Sequence, residues 1–248
     1  MAKKHSPVRI TNVEALRRLQ RMAPLILEDV QIALAAGASL AAANDRVTAT
    51  ANTARPGAVV YRTIQQSLTL SLATSLARLF DHGTLSRHPN TRDVASLPLM
   101  VRLLKQKRNQ GALIRSARRW TPMQPDLEDM HVAACMTAIE GAIARYDVFA
   151  RSREGKAILG RLKRFRDGRL AHALMEETRD APPLYHHLFG LTAVARDVAS
   201  SAALAIKGRS PSLTAVESIW RRHAELFWAA ALDHDAERTG SAQNSRRA

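Results

Sequence analysis

The sequence is short of aromatic residues, of acids and of cysteine, and each shortage narrows what the chain can be. Phe, Trp and Tyr make up only 4% of 248 residues. Much of the apolar content is Ala and Leu, which favour helices, whereas strands draw on β-branched and aromatic residues. A strand-rich fold is therefore not expected. The single cysteine, Cys135, excludes an intrachain disulfide and fits a reducing compartment, so a cytoplasmic location is expected. Acids number 22 against 37 Lys and Arg, a formal net charge of +15. A chain so lopsided suits polyanionic partners, nucleic acid before anionic membrane. Long apolar runs are missing too. The basic stretch Met1 to Ile10 is not followed by the apolar core of a signal peptide. The blandest segment, Ala33 to Ala43, falls well short of the roughly 20 apolar residues of a membrane span. No membrane association is expected. Neither familiar Gly-rich phosphate loop occurs, and no Cys–His metal pattern does, so nucleotide-dependent phosphoryl transfer is unsupported and no metal or other cofactor is expected.

What is present reads as helices. Thr11-x-x-Glu14 is a capping-box signal opening a helix through Leu16, Leu19 and Met22. Pro24 marks a new start, and a second helix carries Leu25, Val30, Ile32 and Leu40. Val60, Ile64, Leu68, Leu72, Leu76 and Leu79 form an apolar stripe from about 58 to 80, which stops at Asp81-His82-Gly83. Further helices are expected over 94–107, 112–119, 128–151, 158–177, 184–206 and 213–233, separated by Thr121-Pro122-Met123-Gln124-Pro125 and by Pro182-Pro183. Nothing alternates with period two, and no repeat or heptad run is found. The expectation is an all-α bundle of seven or eight helices, one domain over 11–234, with flexible tails at 1–10 and 235–248.

Few residues announce chemistry. Tyr185-His186-His187 holds the one adjacent histidine pair, but neighbours on a helix point about 100° apart and do not face one ion. Glu176-Glu177 reads as a solvated face. Trp120, Trp220, Phe227 and Trp228 could stack on bases, although aromatics in helices more often serve the core. The segment that stands out is Lys163-Arg164-Phe165-Arg166-Asp167-Gly168-Arg169-Leu170-Ala171-His172. Arginine is so abundant that one Arg at this distance before a His is expected by accident, so the spacing alone carries little.

The string Arg166 to His172, Arg-Asp-Gly-Arg-Leu-Ala-His, resembles the signature of HEPN domains, and its Leu-Ala-His ending resembles the AbiU-like, abortive-infection branch. Leu70 to Asp81 resembles that branch's earlier helix, which also ends in Ala-Arg-Leu-x-Asp. Order and separation agree, and the resemblance spans about 59–177. One departure is Ala173-Leu174, where a polar residue would be expected soon after the histidine.

The resemblance implies a HEPN-like core and RNA binding. In active members it implies metal-independent RNA cleavage by a homodimer whose paired Arg and His line one cleft. Arg166 and His172 would be the catalytic pair, and the setting would be a toxin-like effector in phage defence or a toxin–antitoxin system, with an antitoxin as a further partner. RNA brings its own nucleophile, the ribose 2′-hydroxyl. Histidine titrates near neutrality and can move the protons, while arginine can hold the phosphate and the charge that develops on it. On an uninterrupted α-helix the two side chains would lie about 120° apart. Gly168 would loosen that helix locally. Asp167 would orient Arg166 or His172, or simply pair with a neighbouring arginine. Lys163, Arg164 and Arg169 would bind nucleic acid.

The surroundings are cationic. Seven basic residues and no acid lie between Val94 and Pro125, and nine basic residues stand against Asp147, Glu154 and Asp167 between Arg145 and Arg169. Two other readings stay open: a non-catalytic helical module for RNA or other nucleic acid, and a purely structural or interaction bundle.

Overall fold

The computed structural model describes residues 10–49, 58–83, 92–170 and 184–244, the side chains of 58, 169, 170 and 233–244 aside. Eight α-helices account for nearly all of it: α1 (Asn12–Ala49), α2 (Ala58–Leu79), α3 (Leu97–Leu104), α4 (Lys107–Ala117), α5 (Glu128–Arg151), α6 (Arg153–Phe165), α7 (Tyr185–Lys207) and α8 (Leu213–Asn244). The described residues contain no strand, and the all-α bundle follows the composition.

With few aromatics available, the core is built from leucine and small residues. Helix α1 buries Ala15, Ala33, Ala36, Gly37, Ala42 and Ala43 beside Leu19, Ile26 and Leu40. Helix α7 buries Ala195, Ala199, Ala202, Ala203 and Ala205 beside Leu188, Leu191 and Val198. Small side chains let helix axes approach closely, so dispersion contacts replace the bulk that aromatic rings would provide. Helix α1 packs chiefly on α8, α2 and α7, and α5 lies along α7. By length and composition α1 and α7 could each cross a membrane, which the short Ala33 to Ala43 segment did not suggest. Over half of each apolar window is buried inside the bundle.

Several boundaries differ from the sequence expectation. Pro24 does not start a helix; it sits inside α1. It is exposed, so the Gln20 carbonyl left without a helical partner can turn to water. Thr11 does cap α1, its Oγ1 accepting the Glu14 N–H at 3.1 Å, but Glu14 pairs with Arg18 at 2.8 Å. Helix α3 begins only at Leu97, with Pro98 in its first turn, and α4 follows at once from Lys107. Two side chains tie that junction: Asn109 Nδ2 donates to the Leu103 carbonyl at 2.8 Å and Gln110 Nε2 to the Leu104 carbonyl at 2.9 Å. The carbonyls that end α3 are thereby satisfied. Finally, α8 continues to Asn244, beyond 233. At the other end Ile10 is buried and its carbonyl accepts from Arg108 at 2.7 Å. Residues 1–9 and 245–248 lie outside the described residues.

Of the aromatics, Trp228 is 3% exposed and donates from Nε1 to the Ser39 carbonyl at 3.1 Å, whereas Trp220 and Phe227 are exposed. Trp120 packs partly on the core.

Candidate functional site

The apolar stripe of α2 is buried progressively along its length. Val60 is exposed, Ile64 and Leu68 are half-buried, and Leu72, Leu76 and Leu79 are fully buried. The C-terminal end of α2 is thus its fixed end. Phe80, also buried, meets Phe149 of α5 with ring centroids 6.2 Å apart. The helix stops at once after this. Gly83 adopts φ +69°, open to glycine at little cost, and its N–H donates to Asp81 Oδ1 at 3.0 Å. Arg92 donates to the His82 carbonyl, and Arg18 to the Arg92 carbonyl at 3.1 Å. The short segment Asp81-His82-Gly83 is held at both ends.

Helix α6 arrives from the other side. Ser152 caps it, accepting the Gly155 N–H at 2.8 Å, and Ile158 and Leu162 anchor it in the core. The α-helix was expected over 158–177; it instead starts at Arg153 and gives way at Arg166 to a π turn, Arg166–Leu170, containing Gly168. In such a turn hydrogen bonds run i→i+5, a wider winding found mostly as single turns and often at functional sites. The 120° angle computed for an uninterrupted α-helix does not apply across it.

Arg166 spans the two segments. Its Nη1 donates to Asp81 Oδ1 at 2.9 Å and its Nε to Asp167 Oδ1 at 2.8 Å. The Asp167 hydrogen bond chiefly raises the guanidinium pKa above its ordinary value, and Asp81 adds to this against partial desolvation. Two carboxylates fix the fork, and two of its five N–H groups are engaged by described residues. Asp167 therefore sits on Arg166 itself.

Beside this pair lies a cavity of about 420 Å³. Phe80, Asp81, His82, Lys163 and Arg166 line it, over an apolar floor that includes Leu159 and Leu162. Partial desolvation lowers the pKa of His82, and Arg92, Lys163 and Arg166 lower it further against the opposing pull of Asp81. Arg164 is exposed and does not line the cavity. The side chain of Arg169 and the whole of His172 lie outside the described residues. The site thus brings together Arg166, Asp167 and Lys163 of the expected residues, and adds Asp81 and His82. Asp81 had a sequence signal, the final position of Ala-Arg-Leu-x-Asp. His82 had only its place next to it.

The two segments joined by the Arg166–Asp81 pair are those that resembled HEPN domains. The HEPN family described as AbiU2 matches residues 20–227. The chain belongs to that family. No curated protein and no solved structure matches it. The AbiU2 match runs beyond 59–177 on both sides, taking in most of α1, all of α7 and the first half of α8.

The remaining candidates of the AbiU2 chain take ordinary roles. His187 Nδ1 accepts the Leu184 N–H at 3.2 Å at the start of α7, and its ring centroid lies 4.1 Å from that of His186. Among the described residues no three His, Cys, Asp or Glu side chains cluster as metal ligands would. The acid-free run from Val94 to Pro125 is broken up in space: Lys105 pairs with Asp147 at 2.6 Å and Arg118 with Glu128 at 3.4 Å.

Proposed function

We propose that this AbiU2-family protein is a metal-independent endoribonuclease, a toxin-like effector of phage defence or of a toxin–antitoxin system. The observation that carries the reading is the fixing of Arg166 by Asp81 and Asp167 at the mouth of a cavity shared with Lys163. A guanidinium held before its ligand arrives meets the developing charge of a phosphorane without reorganising. Arg92 and Lys163 both act electrostatically on His82 beside the pair, so positive charge flanks the two carboxylates and favours a phosphodiester. Arg166 would hold the non-bridging oxygens. His172 would move the protons, a role that rests on its place in the Arg166 to His172 signature. Lys163, Arg164 and Arg169 would track the RNA backbone. The proposal includes a homodimer in which both copies of the pair line one cleft, a cytoplasmic setting, an antitoxin partner, no membrane association, and no metal or other cofactor.

A second reading is favoured by the same contact. An arginine engaged by two carboxylates is also a good structural ion pair, and the chain would then be a non-catalytic RNA-binding module. Incubating the protein with mixed RNA in EDTA separates the two. Cleavage leaving 2′,3′-cyclic phosphate ends supports the nuclease. Salt-sensitive binding without cleavage supports the module.

A further inference from the structure

His82 is the one histidine that the described structure places beside Arg166. It lines the same cavity as Arg166, Lys163, Asp81 and Phe80. Its backbone is pinned on both sides, by the Gly83 N–H to Asp81 Oδ1 at 3.0 Å and by Arg92 on its own carbonyl. Its ring is held by no hydrogen bond among the described residues, and the residue is exposed. A fixed backbone carrying an uncommitted imidazole at the edge of a cationic cavity is the arrangement a proton carrier needs.

We propose that His82 is a second acid–base residue of the site and takes the proton from the RNA 2′-hydroxyl adjacent to the phosphate held by Arg166. The inference rests on the ribonuclease reading above. The step balances within the chain, the RNA and solvent water. The 2′-O–H proton passes to the neutral His82 imidazole as the O2′–P bond forms. The P–O5′ bond breaks, and O5′ leaves with a proton from a solvent water, whose hydroxide takes the proton back from His82. The products are a 2′,3′-cyclic phosphate and a 5′-hydroxyl, and no oxidant, metal or co-reactant is consumed.

The charges around His82 favour the base role. Partial desolvation disfavours its protonated form most, Arg92 from the segment before α3, Lys163 of α6 and Arg166 of the π turn add to this, and Asp81 from its own loop opposes them. With the pKa below the ordinary value of about 6.5, the ring is mostly neutral at pH 7. Lowering the pH through that pKa protonates the base and stops the reaction. The acidic limb of the rate profile therefore lies below about 6.5.

The test is a pH profile of kcat/KM for the full-length protein on a short RNA in EDTA, wild type beside His82→Ala and His82→Gln. The expected result is a loss of roughly 10²–10⁴-fold in both variants. The His82 limb should disappear, added imidazole should partly restore the Ala variant, and RNA affinity and melting midpoint should hold. Cleavage by the wild type with both variants within a few-fold of it, on an unchanged profile, overturns the role of His82 alone. A loss of activity that tracks a fall in melting midpoint overturns it as well, by assigning the loss to folding. No cleavage by the wild type, with RNA still bound, overturns the ribonuclease reading, and the role of His82 falls with it.

Discussion

Asp81 and Arg166 form the contact on which the site depends, and the two can be separated by substitution. Arg166→Ala removes the fork and should lower RNA cleavage by roughly 10²–10³-fold, the usual effect of losing one preorganised charge-stabilising donor. Asp81→Asn keeps the oxygen that accepts from Arg166 Nη1 and from the Gly83 N–H but removes its charge. As a positioning residue it should cost far less, about tenfold, and act on kcat more than on KM. A rise in KM alone, read from single-turnover rates against RNA concentration, would contradict that role. Two other residues test the packing. Gly208 closes α7 with φ +70°, and an added Cβ would lie 2.7 Å from Trp120 Cγ. Gly208→Ala should therefore destabilise by about 1–3 kcal/mol, from backbone strain and overpacking together. Thermal melting would show it as a drop of several degrees. Burial pushes the Cys135 thiol up to about 11, and its Sγ donates to the Ala205 carbonyl at 3.7 Å. A thiol reagent at pH 8 should label it slowly in the native protein and rapidly in urea, because the thiolate is the reacting form.

The helices differ in how firmly they are held, and that difference explains where the site lies. The second half of α2 is clamped by Leu72, Leu76 and Leu79, all fully buried, while Val59 and Val60 stand in solvent. Hydrogen exchange should therefore be slow over residues 72–79 and faster over 59–66, with α1 and α7 the most protected. Uniform protection along α2 would contradict this account. The extent of α2 and α5 was legible in the sequence, because a continuous apolar stripe and flanking Pro or Gly signals delimit both. The junction of α3 and α4 was not, since it depends on the side chain of Asn109 reaching back to the Leu103 carbonyl, a tertiary choice that no periodicity announces. Pro24 misled for the converse reason: a breaker tolerated on the exposed side leaves no trace in the pattern. Within the site, Arg166 and Asp167 were legible as a local motif. Their link to Asp81 crosses 85 positions, and only the packing of α2 against α6 and the π turn creates it. His82 entered by the same route.

At the scale of the whole molecule the excess of 15 positive charges is the dominant property. Several cations of the basic runs are neutralised by acids brought in from other helices, such as Arg145 by Asp197 at 3.0 Å and Lys105 by Asp147 at 2.6 Å. The net excess of positive charge is what the polyanion reading rests on. RNA affinity should fall linearly on a logarithmic salt scale, with a slope of about −0.7 for each phosphate neutralised on a single strand. An affinity indifferent to salt would contradict the polyanion reading. The AbiU2 match over residues 20–227 makes nearly the whole bundle, rather than one motif, the unit of the fold. Single-turnover cleavage of a mixed RNA in EDTA by the wild type and by Arg166→Ala decides whether Arg166 acts in a nuclease. The wild type should cleave and leave cyclic phosphate ends, with a loss of at least about 10²-fold in a variant that still folds. Equal cleavage by both proteins, or none by either, would contradict that role.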